Sequence, residues 1–124
     1  MSTPASPARR WPAWASLLVV VLLAWGGQKA LTHWGHQRLG EPLRQLAQEG
    51  DIRLISSTTC RYCTLARQWL DNQQVRFSEC FVETDPQCLK DYERTGARGT
   101  PTVLVRGQTQ LGFDPERVLQ TLQR

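Results

Sequence analysis

The sequence predicts an α/β domain over residues 51–124, in the order β-α-β-α-β-β-α, behind an N-terminal hydrophobic helix. Short apolar runs alternate with segments whose apolar residues recur every three or four positions, and Asp-Pro or Gly stands at the expected helix ends. A crossover helix makes the first two strands parallel, whereas the last two strands form an antiparallel hairpin. We therefore expect a mixed four-stranded sheet flanked by helices.

Local patterns place each element of this domain. Apolar residues four apart, Leu65 with Trp69 and Ala66 with Leu70, give the first helix its inward stripe. Asp-Pro pairs open the next two helices, because the Asp side chain caps free amides and Pro fits the first turn. The predicted elements are a strand at 52–56, a helix from 64 to 72–74, a strand at 75–82, a helix from 85–86 to 96, a hairpin of 102–105 and 109–113 across a turn at 106–108, and a helix from 114–115 to 122.

An uncharged run at residues 11–27 follows a tail at residues 1–10 and has the length of a short membrane span. Tryptophans stand at both of its edges, as aromatic residues do at membrane interfaces. Two interpretations are open: an uncleaved transmembrane helix, or a secretory signal cleaved near Ala24 and Gly26. A buried core helix is disfavoured, because the run has no polar face.

The flanking charges favour a domain outside the cytoplasm. Arg9 and Arg10 directly precede the run, which favours an N-terminus on the cytoplasmic side. Residues 28–50 then form a juxtamembrane linker with a short helix that has Pro42 in its first turn and stops at Gly50. We therefore expect attachment to the inner (cytoplasmic) membrane, with the soluble domain in the periplasm. Cleavage of a signal would instead release the domain there.

Charge and histidine content exclude two classes of function. Most of the net charge of +4 lies in residues 1–50, while residues 51–124 carry ten basic and nine acidic side chains. No basic stripe with interleaved aromatic residues is present, so we expect no nucleic-acid binding. Both histidines, His33 and His36, precede the domain, which leaves no base for a Cys-His hydrolase. We expect a monomer without a bound metal or other cofactor.

Cys60 and Cys63 carry the chemistry that the sequence predicts. They stand where the first strand gives way to a helix, so that amide groups of the helix start face Cys60. Together with the charge of Arg61, these groups favour the thiolate, the form that attacks a disulfide. Cys60 is then the attacking thiol, and Cys63, one turn into the helix, is the resolving one. A zinc site is disfavoured, because Cys80 and Cys88 are not spaced as a second Cys-x-x-Cys pair.

Three segments together resemble the glutaredoxin family of the thioredoxin fold. Residues 56–63, Ser-Ser-Thr-Thr-Cys-Arg-Tyr-Cys, resemble the active-site segment, with a tyrosine before the second cysteine. Thr100-Pro101 resembles the cis-proline loop, and residues 112–114 resemble the glycine turn before the last helix. The resemblance implies a cis Thr100–Pro101 bond beside the cysteines, and a bound peptide or glutathione that pairs with the backbone of Thr100. The candidate substrate-binding residues are Arg61, Tyr62, Thr100, Pro101, Gly112, Phe113 and Asp114.

The chain departs from the family pattern at two positions. Glutathione-dependent members usually have proline after the first cysteine and lysine three residues before it, where this chain has Arg61 and Ser57. Arg53 or Arg98 would then have to bind the carboxylate of glutathione, which we expect as a co-substrate beside protein thiols and disulfides. The predicted function is thiol–disulfide exchange by a membrane-tethered oxidoreductase outside the cytoplasm. The alternatives are a glutathione-dependent glutaredoxin that faces the cytoplasm, and a non-catalytic, membrane-anchored binding module.

Cys80 and Cys88 suggest a second disulfide, between the second strand and the second helix. Such a bond suits a small domain in an oxidising compartment. The alternative is a pair of buried free thiols that pack as small apolar side chains.

Overall fold

The structure of this chain, a computed structural model, describes residues 12–124. It divides into two compact units, one that ends at Trp34 and one that runs from Gly35 to Arg124. The predicted tail at residues 1–10 and the first residue of the predicted membrane segment, Trp11, lie outside the described residues.

Helix α1 (Ala13–Arg38) contains the described part of the predicted apolar segment. Within it, the stretch Ala13–Ala30 is long and apolar enough to cross a membrane, with a mean hydropathy of 1.3, and none of it is buried in the structure. The hydrophobic helix ahead of the domain is therefore confirmed. Length and composition do not distinguish an anchor from a signal sequence, so both interpretations stay predictions.

The second unit contains a four-stranded mixed sheet with flanking helices. Its elements are α2 (Gly40–Leu46), β1 (Ile52–Ser56), α3 (Arg61–Asn72), β2 (Ser78–Phe81), α4 (Pro86–Thr95), β3 (Thr102–Val105), β4 (Gln108–Leu111) and α5 (Pro115–Leu122). The strand order is β2-β1-β3-β4; β1 is parallel to β2, and β3 is antiparallel to both of its neighbours. This architecture confirms the predicted fold class.

The inner strands β1 and β3 supply the centre of the core. Side chains alternate between the two faces of a sheet, so Ile52 and Leu54 share one face with their partners Val105 and Val103, and all four are fully buried. Helices α2, α3 and α5 pack apolar side chains into the same cluster. Burying one large aliphatic side chain stabilises the fold by about 1.5–3 kcal/mol. The cluster therefore fixes α3, whose N-cap and first turn carry the two cysteines, against the sheet.

Helix α2 ends earlier than expected. It stops at Leu46 rather than at Gly50, and Ala47 is already extended, with ψ of 118°. The Asp51 carboxylate accepts the backbone N–H of Gln48 at 3.0 Å, which draws this amide away from a further helical turn.

Strand β2 is shorter than the predicted 75–82. The backbone N–H of Val75 bonds to the Leu70 carbonyl at 3.0 Å, so residue 75 closes the end of α3 and does not join the sheet. Val75 is nevertheless buried in the core cluster. Its apolar character therefore reports burial in the connecting segment, which the sequence pattern alone cannot separate from a strand.

The hairpin is displaced from the predicted strand at 109–113. Arg106 and Gly107 both have positive φ, 47° and 81°, and form a two-residue turn whose twist matches the flanking strands. Strand β4 therefore starts one residue earlier than expected. Gly112, with φ of 75°, ends the strand and places Phe113 in the turn before α5.

Candidate active site

Cys60 and Cys63 lie where β1 ends and α3 begins. Cys60 is the N-cap residue of α3: its backbone is extended, and its Sγ accepts the backbone N–H of Cys63 at 3.1 Å. The two residues form a disulfide, with their Cα atoms 5.3 Å apart. Cys63 is 2% exposed, whereas Cys60 is partly open to solvent. The sulfur of Cys60 is therefore the one that an outside thiol or disulfide can reach.

The surroundings of Cys60 favour a negative charge on its sulfur once the disulfide is reduced. The first turn of α3 contains no acidic residue, and its free amides and the positive end of the helix dipole point toward the cap position. Arg61 follows directly and is exposed. This arrangement can support attack by a Cys60 thiolate and resolution by the buried Cys63.

Glu83, in the turn after β2, holds the segment that leads into Cys60. Its carboxylate accepts the Ser57 hydroxyl and, at 3.1 Å, the backbone N–H of Thr58. The hydrogen bond from Ser57 is the largest cause that lowers the pKa of Glu83 below its ordinary value of 4.5. The sequence motifs do not indicate a role for Glu83. The order of the strands could have indicated this contact. Because β1 and β2 are parallel, the residues that follow them, Ser57 and Glu83, lie at the same edge of the sheet.

The Thr100–Pro101 peptide bond is cis, as the resemblance implies. Pro101 is buried, and its carbonyl accepts the backbone N–H of Gly112 at 2.8 Å. The Thr102 hydroxyl donates to the Gly99 carbonyl at 2.7 Å. The first bond ties the cis-proline loop, between α4 and β3, to the residue that follows β4, and the second closes the loop on itself.

A groove of about 600 Å³ reaches the active-site segment at Tyr62, while neither Cys60 nor Cys63 is one of its lining residues. It is lined by three segments, from α3, from the cis-proline loop, and from the stretch that runs from the end of β4 to the start of α5, and every lining residue is uncharged. Tyr62, which stands between the two cysteines, is 73% exposed on its rim. Trp69 and Phe113 pack together, with ring centroids 5.4 Å apart. The groove thus offers an apolar, partly aromatic surface next to the disulfide.

The structure brings five of the seven predicted substrate-binding residues into this groove: Tyr62, Thr100, Pro101, Gly112 and Phe113. Arg61 is exposed on the first turn of α3 and does not line it. Asp114 caps helix α5, where its carboxylate accepts the backbone N–H groups of Glu116 and Arg117. Arg61 therefore lies next to Cys60 but outside the groove. Asp114 supports the turn that carries the groove residues Gly112 and Phe113.

Six further groove residues were not predicted as site residues from the sequence: Leu65, Ala66, Trp69, Gly99, Leu111 and Pro115. Leu65 and Trp69 were assigned to the core stripe of α3, but Leu65 is 49% exposed, and both line the groove. Leu111, at the end of β4, joins them. Tyr62, Leu65 and Trp69 recur at helical spacing, so they share one face of α3. That spacing could have indicated a surface that continues from the active-site segment.

The second cysteine pair lies on β2 and α4. Cys80 and Cys88 form a disulfide with their Cα atoms 5.9 Å apart. Arg53, a candidate partner for the glutathione carboxylate, instead pairs with Asp91 at 2.7 Å, and neither Arg53 nor Arg98 lines the groove. Among the residues that the structure describes, no group of three or more His, Cys, Asp or Glu side chains is placed to hold a metal ion.

The mixed sheet, the Cys-x-x-Cys disulfide at a helix start and the cis-proline loop together define a redox protein of the thioredoxin fold. Among solved structures, a variant of the thioredoxin-like protein BC3987 is 27% identical with a TM-score of 0.50, covering 60% of this chain and 96% of that one. The glutaredoxin-like NrdH-redoxin from Escherichia coli is 20% identical with a TM-score of 0.49, covering 56% of this chain and 91% of its own.

Within the thioredoxin fold, the sequence comparisons indicate similarity to glutaredoxins. The glutaredoxin family model matches residues 52–109. The glutaredoxin-like protein NrdH of Lactococcus lactis subsp. cremoris is 21% identical over 67 residues, which cover 54% of this chain and 93% of the relative. This chain is a glutaredoxin-like redox protein with a thioredoxin fold.

Proposed function

We propose that this chain is a membrane-tethered thiol–disulfide oxidoreductase that exchanges disulfides with protein substrates through Cys60 and Cys63, outside the cytoplasm. The difference between the two sulfurs carries the proposal. The Cys60 sulfur accepts a backbone N–H at a helix start and is partly open to solvent, while Cys63 is buried one turn further on. Thiol exchange requires an attacking sulfur that is accessible and ionisable, and a resolving sulfur within bonding reach.

Exchange in the reducing direction takes two displacements. The Cys60 thiolate attacks one sulfur of a substrate disulfide, and the other substrate sulfur leaves as a thiolate and takes up a proton. Cys63 then gives up its proton and attacks the Cys60 Sγ, which closes the Cys60–Cys63 disulfide and releases the second substrate sulfur. Two electrons pass from the cysteine pair to the substrate. Oxidation of a substrate dithiol follows the same steps in reverse.

The groove favours an apolar stretch of polypeptide as the substrate. An extended peptide can pair with the backbone of Thr100, as an added strand does, and can place an apolar side chain against Trp69 and Phe113. Glutathione carries two carboxylates and an ammonium group, for which the uncharged groove has no partner. The guanidinium of Arg53 is engaged by Asp91. Glutathione is therefore proposed as a co-substrate that reacts with the cysteine pair, and not as the ligand of the groove.

The exchange activity is tested by substitution of each active-site cysteine in the full-length protein. Cys60→Ser is expected to abolish reduction of a protein disulfide such as that of insulin. Cys63→Ser is expected to accumulate a mixed disulfide with the substrate on Cys60, which a thiol reductant cleaves. The double variant Cys60→Ser/Cys63→Ser is the matched control and should trap nothing. Equal substrate retention by Cys63→Ser and by the double variant would contradict exchange and indicate a binding module.

The membrane placement is proposed from helix α1, whose stretch Ala13–Ala30 has the length and hydropathy of a span. We expect the protein to stay in the membrane fraction at alkaline pH, and a phosphatase fused after Arg124 to be active outside the cytoplasm. A shortened mature chain in the soluble fraction would indicate a cleaved signal. A fluorescent protein that is bright at the same position, with an inactive phosphatase fusion, would indicate a cytoplasm-facing glutaredoxin.

A further inference from the structure

The second disulfide has a charged environment that exchange at Cys60 does not use. Arg53, on β1, directs its guanidinium to two groups on neighbouring elements: Nη1 donates to Asp91 Oδ2 at 2.7 Å, and Nη2 donates to the Cys80 Sγ at 3.4 Å. A guanidinium beside a cysteine sulfur stabilises the thiolate relative to the thiol. The stabilisation acts only when the disulfide is open, so a bond that serves the fold alone gains nothing from it.

Cys80 and Cys88 differ in access in the same way as Cys60 and Cys63. Cys88 is fully buried in the first turn of α4, where its backbone N–H donates to the capping carboxylate of Asp85 at 3.2 Å. Cys80 is partly open to solvent and lies on β2, the edge strand of the sheet. An outside thiol can therefore reach the Cys80 sulfur and not the Cys88 sulfur.

The charges around Cys80 come from both elements packed against it, β1 and α4. Arg53 supplies the positive charge, and Asp91 and Asp85 supply negative charge from α4 and its cap. Asp91 also pairs with Arg94 at 3.3 Å, so one carboxylate is shared between two guanidinium groups. Asp85 is occupied with the amides of α4. Arg53 is thus paired with Asp91 through Nη1, while its Nη2 remains directed at the Cys80 sulfur.

We propose that Cys80–Cys88 is a second thiol–disulfide exchange centre, entered through Cys80 by the dithiol of another protein. A thiolate of the dithiol attacks the Cys80 Sγ, the Cys80–Cys88 bond breaks, and Cys88 leaves as a thiolate. Cys88 takes up the proton that the second thiol of the reductant gives up. That second sulfur then attacks its partner in the mixed disulfide, and Cys80 leaves as the thiolate that Arg53 stabilises. Two electrons have passed to the pair, and the dithiol has become a disulfide.

The test uses the full-length Cys60→Ser/Cys63→Ser protein in detergent, so that only the second pair can react and the result does not depend on the proposed function of the first. The protein is titrated with dithiothreitol, and its thiols are alkylated and located by mass spectrometry while near-UV circular dichroism monitors the fold. We expect Cys80 and Cys88 to be reduced in the folded protein, with Cys80 alkylated first. A bond that opens only after denaturant has unfolded the protein would overturn the proposal.

A matched pair of substitutions tests the role of Arg53. In the reduced protein, Arg53→Gln is expected to slow alkylation of Cys80 about tenfold at neutral pH and to move its pH profile upward, because an adjacent opposite charge shifts such an ionisation by about one unit or more. Arg94→Gln removes a positive charge from the same carboxylate at a position that is 74% exposed, and it should change the rate by less than about twofold. Equal changes in the Cys80 alkylation rate in the two variants, or no change in either, would contradict the proposal that Arg53 stabilises the Cys80 thiolate.

Discussion

The two disulfides combine an accessible sulfur with a buried one, but they draw positive charge from different parts of the molecule. At Cys60 the charge comes from the backbone amides that begin α3. At Cys80 it comes from one side chain, Arg53, that reaches across from the neighbouring strand. Backbone amides cannot be removed by substitution without loss of the helix, whereas a guanidinium can be removed by a single change. The positive environment of Cys60 is therefore part of the fold itself, whereas that of Cys80 depends on the single side chain of Arg53.

Glu83 connects the two regions. It lies inside the loop that the Cys80–Cys88 bond closes, and its carboxylate holds Ser57 and Thr58 directly before Cys60. A change at the second pair can thus reach the first through one carboxylate. Comparisons of the two pairs should therefore measure both exchange activity and stability in every variant.

The largest expected effect is on turnover, and it separates the two pairs. Cys60→Ser/Cys63→Ser is expected to reduce insulin reduction to the uncatalysed background, because no thiolate is left beside the groove. Cys80→Ser/Cys88→Ser is expected to retain turnover, since it leaves intact Cys60 and Cys63, which flank the groove residue Tyr62, whereas Cys80 and Cys88 lie on β2 and α4. Both variants are measured under the same reductant. Background turnover in the second variant as well would mean that the two centres work only together.

The next largest effect is on stability, where removal of the Cys80–Cys88 bond is expected to cost more than removal of the Cys60–Cys63 bond. The residues joined by the Cys80–Cys88 bond are 8 apart in sequence, and those joined by Cys60–Cys63 are 3 apart. Loop-closure entropy then predicts losses of about 2.5 and about 2 kcal/mol on removal of each bond. Replacement of each pair by alanine, followed by urea unfolding of the oxidised protein, measures both values. A larger loss of stability on removal of the Cys60–Cys63 bond would show that loop-closure entropy does not determine the difference between the two disulfides.

Signals within one element predicted much of this structure, and contacts between strands account for what was missed. Asp85-Pro86 and Asp114-Pro115 begin helices as expected, because cap and first turn are local. The contact of Arg53 with Cys80 depends on strand register, which places Ile55 opposite Cys80. The predicted second strand was too long to reveal that register. Likewise, helical spacing identified an apolar face on α3 but not whether a core or an open groove covers it.

A third, smaller effect tests whether the groove binds substrate. Leu65→Ser is expected to raise KM for a polypeptide disulfide about tenfold, because a buried leucine contributes about 1.5–3 kcal/mol on full burial. Turnover of a small disulfide should be unchanged. Leu89→Ser is the control: this leucine is 40% exposed on α4 and does not line the groove. An equal rise in KM for both variants would remove the argument for an apolar substrate in the groove.

The smallest expected effect is the acid dependence of stability, to which both regions contribute. The hydrogen bond from Arg53 is the main cause that lowers the pKa of Asp91 below its ordinary value of 3.8, and Ser57 does the same for Glu83 below 4.5. Carboxyls with lowered pKa values stabilise the fold fully above their unfolded values, roughly above pH 5, and lose this contribution as the pH falls through the folded values.

Solvent screening keeps this acid effect small, because Glu83 is exposed and the Asp91 side chain is still 18% open to solvent. Urea unfolding between pH 7 and pH 3 should show a fall in stability that Asp91→Asn and Glu83→Gln each flatten in part. If Asp91→Asn alone removes the whole slope, the acid sensitivity belongs to the second pair. In that case the contact of Glu83 with Ser57 positions the segment before Cys60 without stabilising the fold, and Glu83→Gln should lower exchange activity while it leaves the unfolding curve in place.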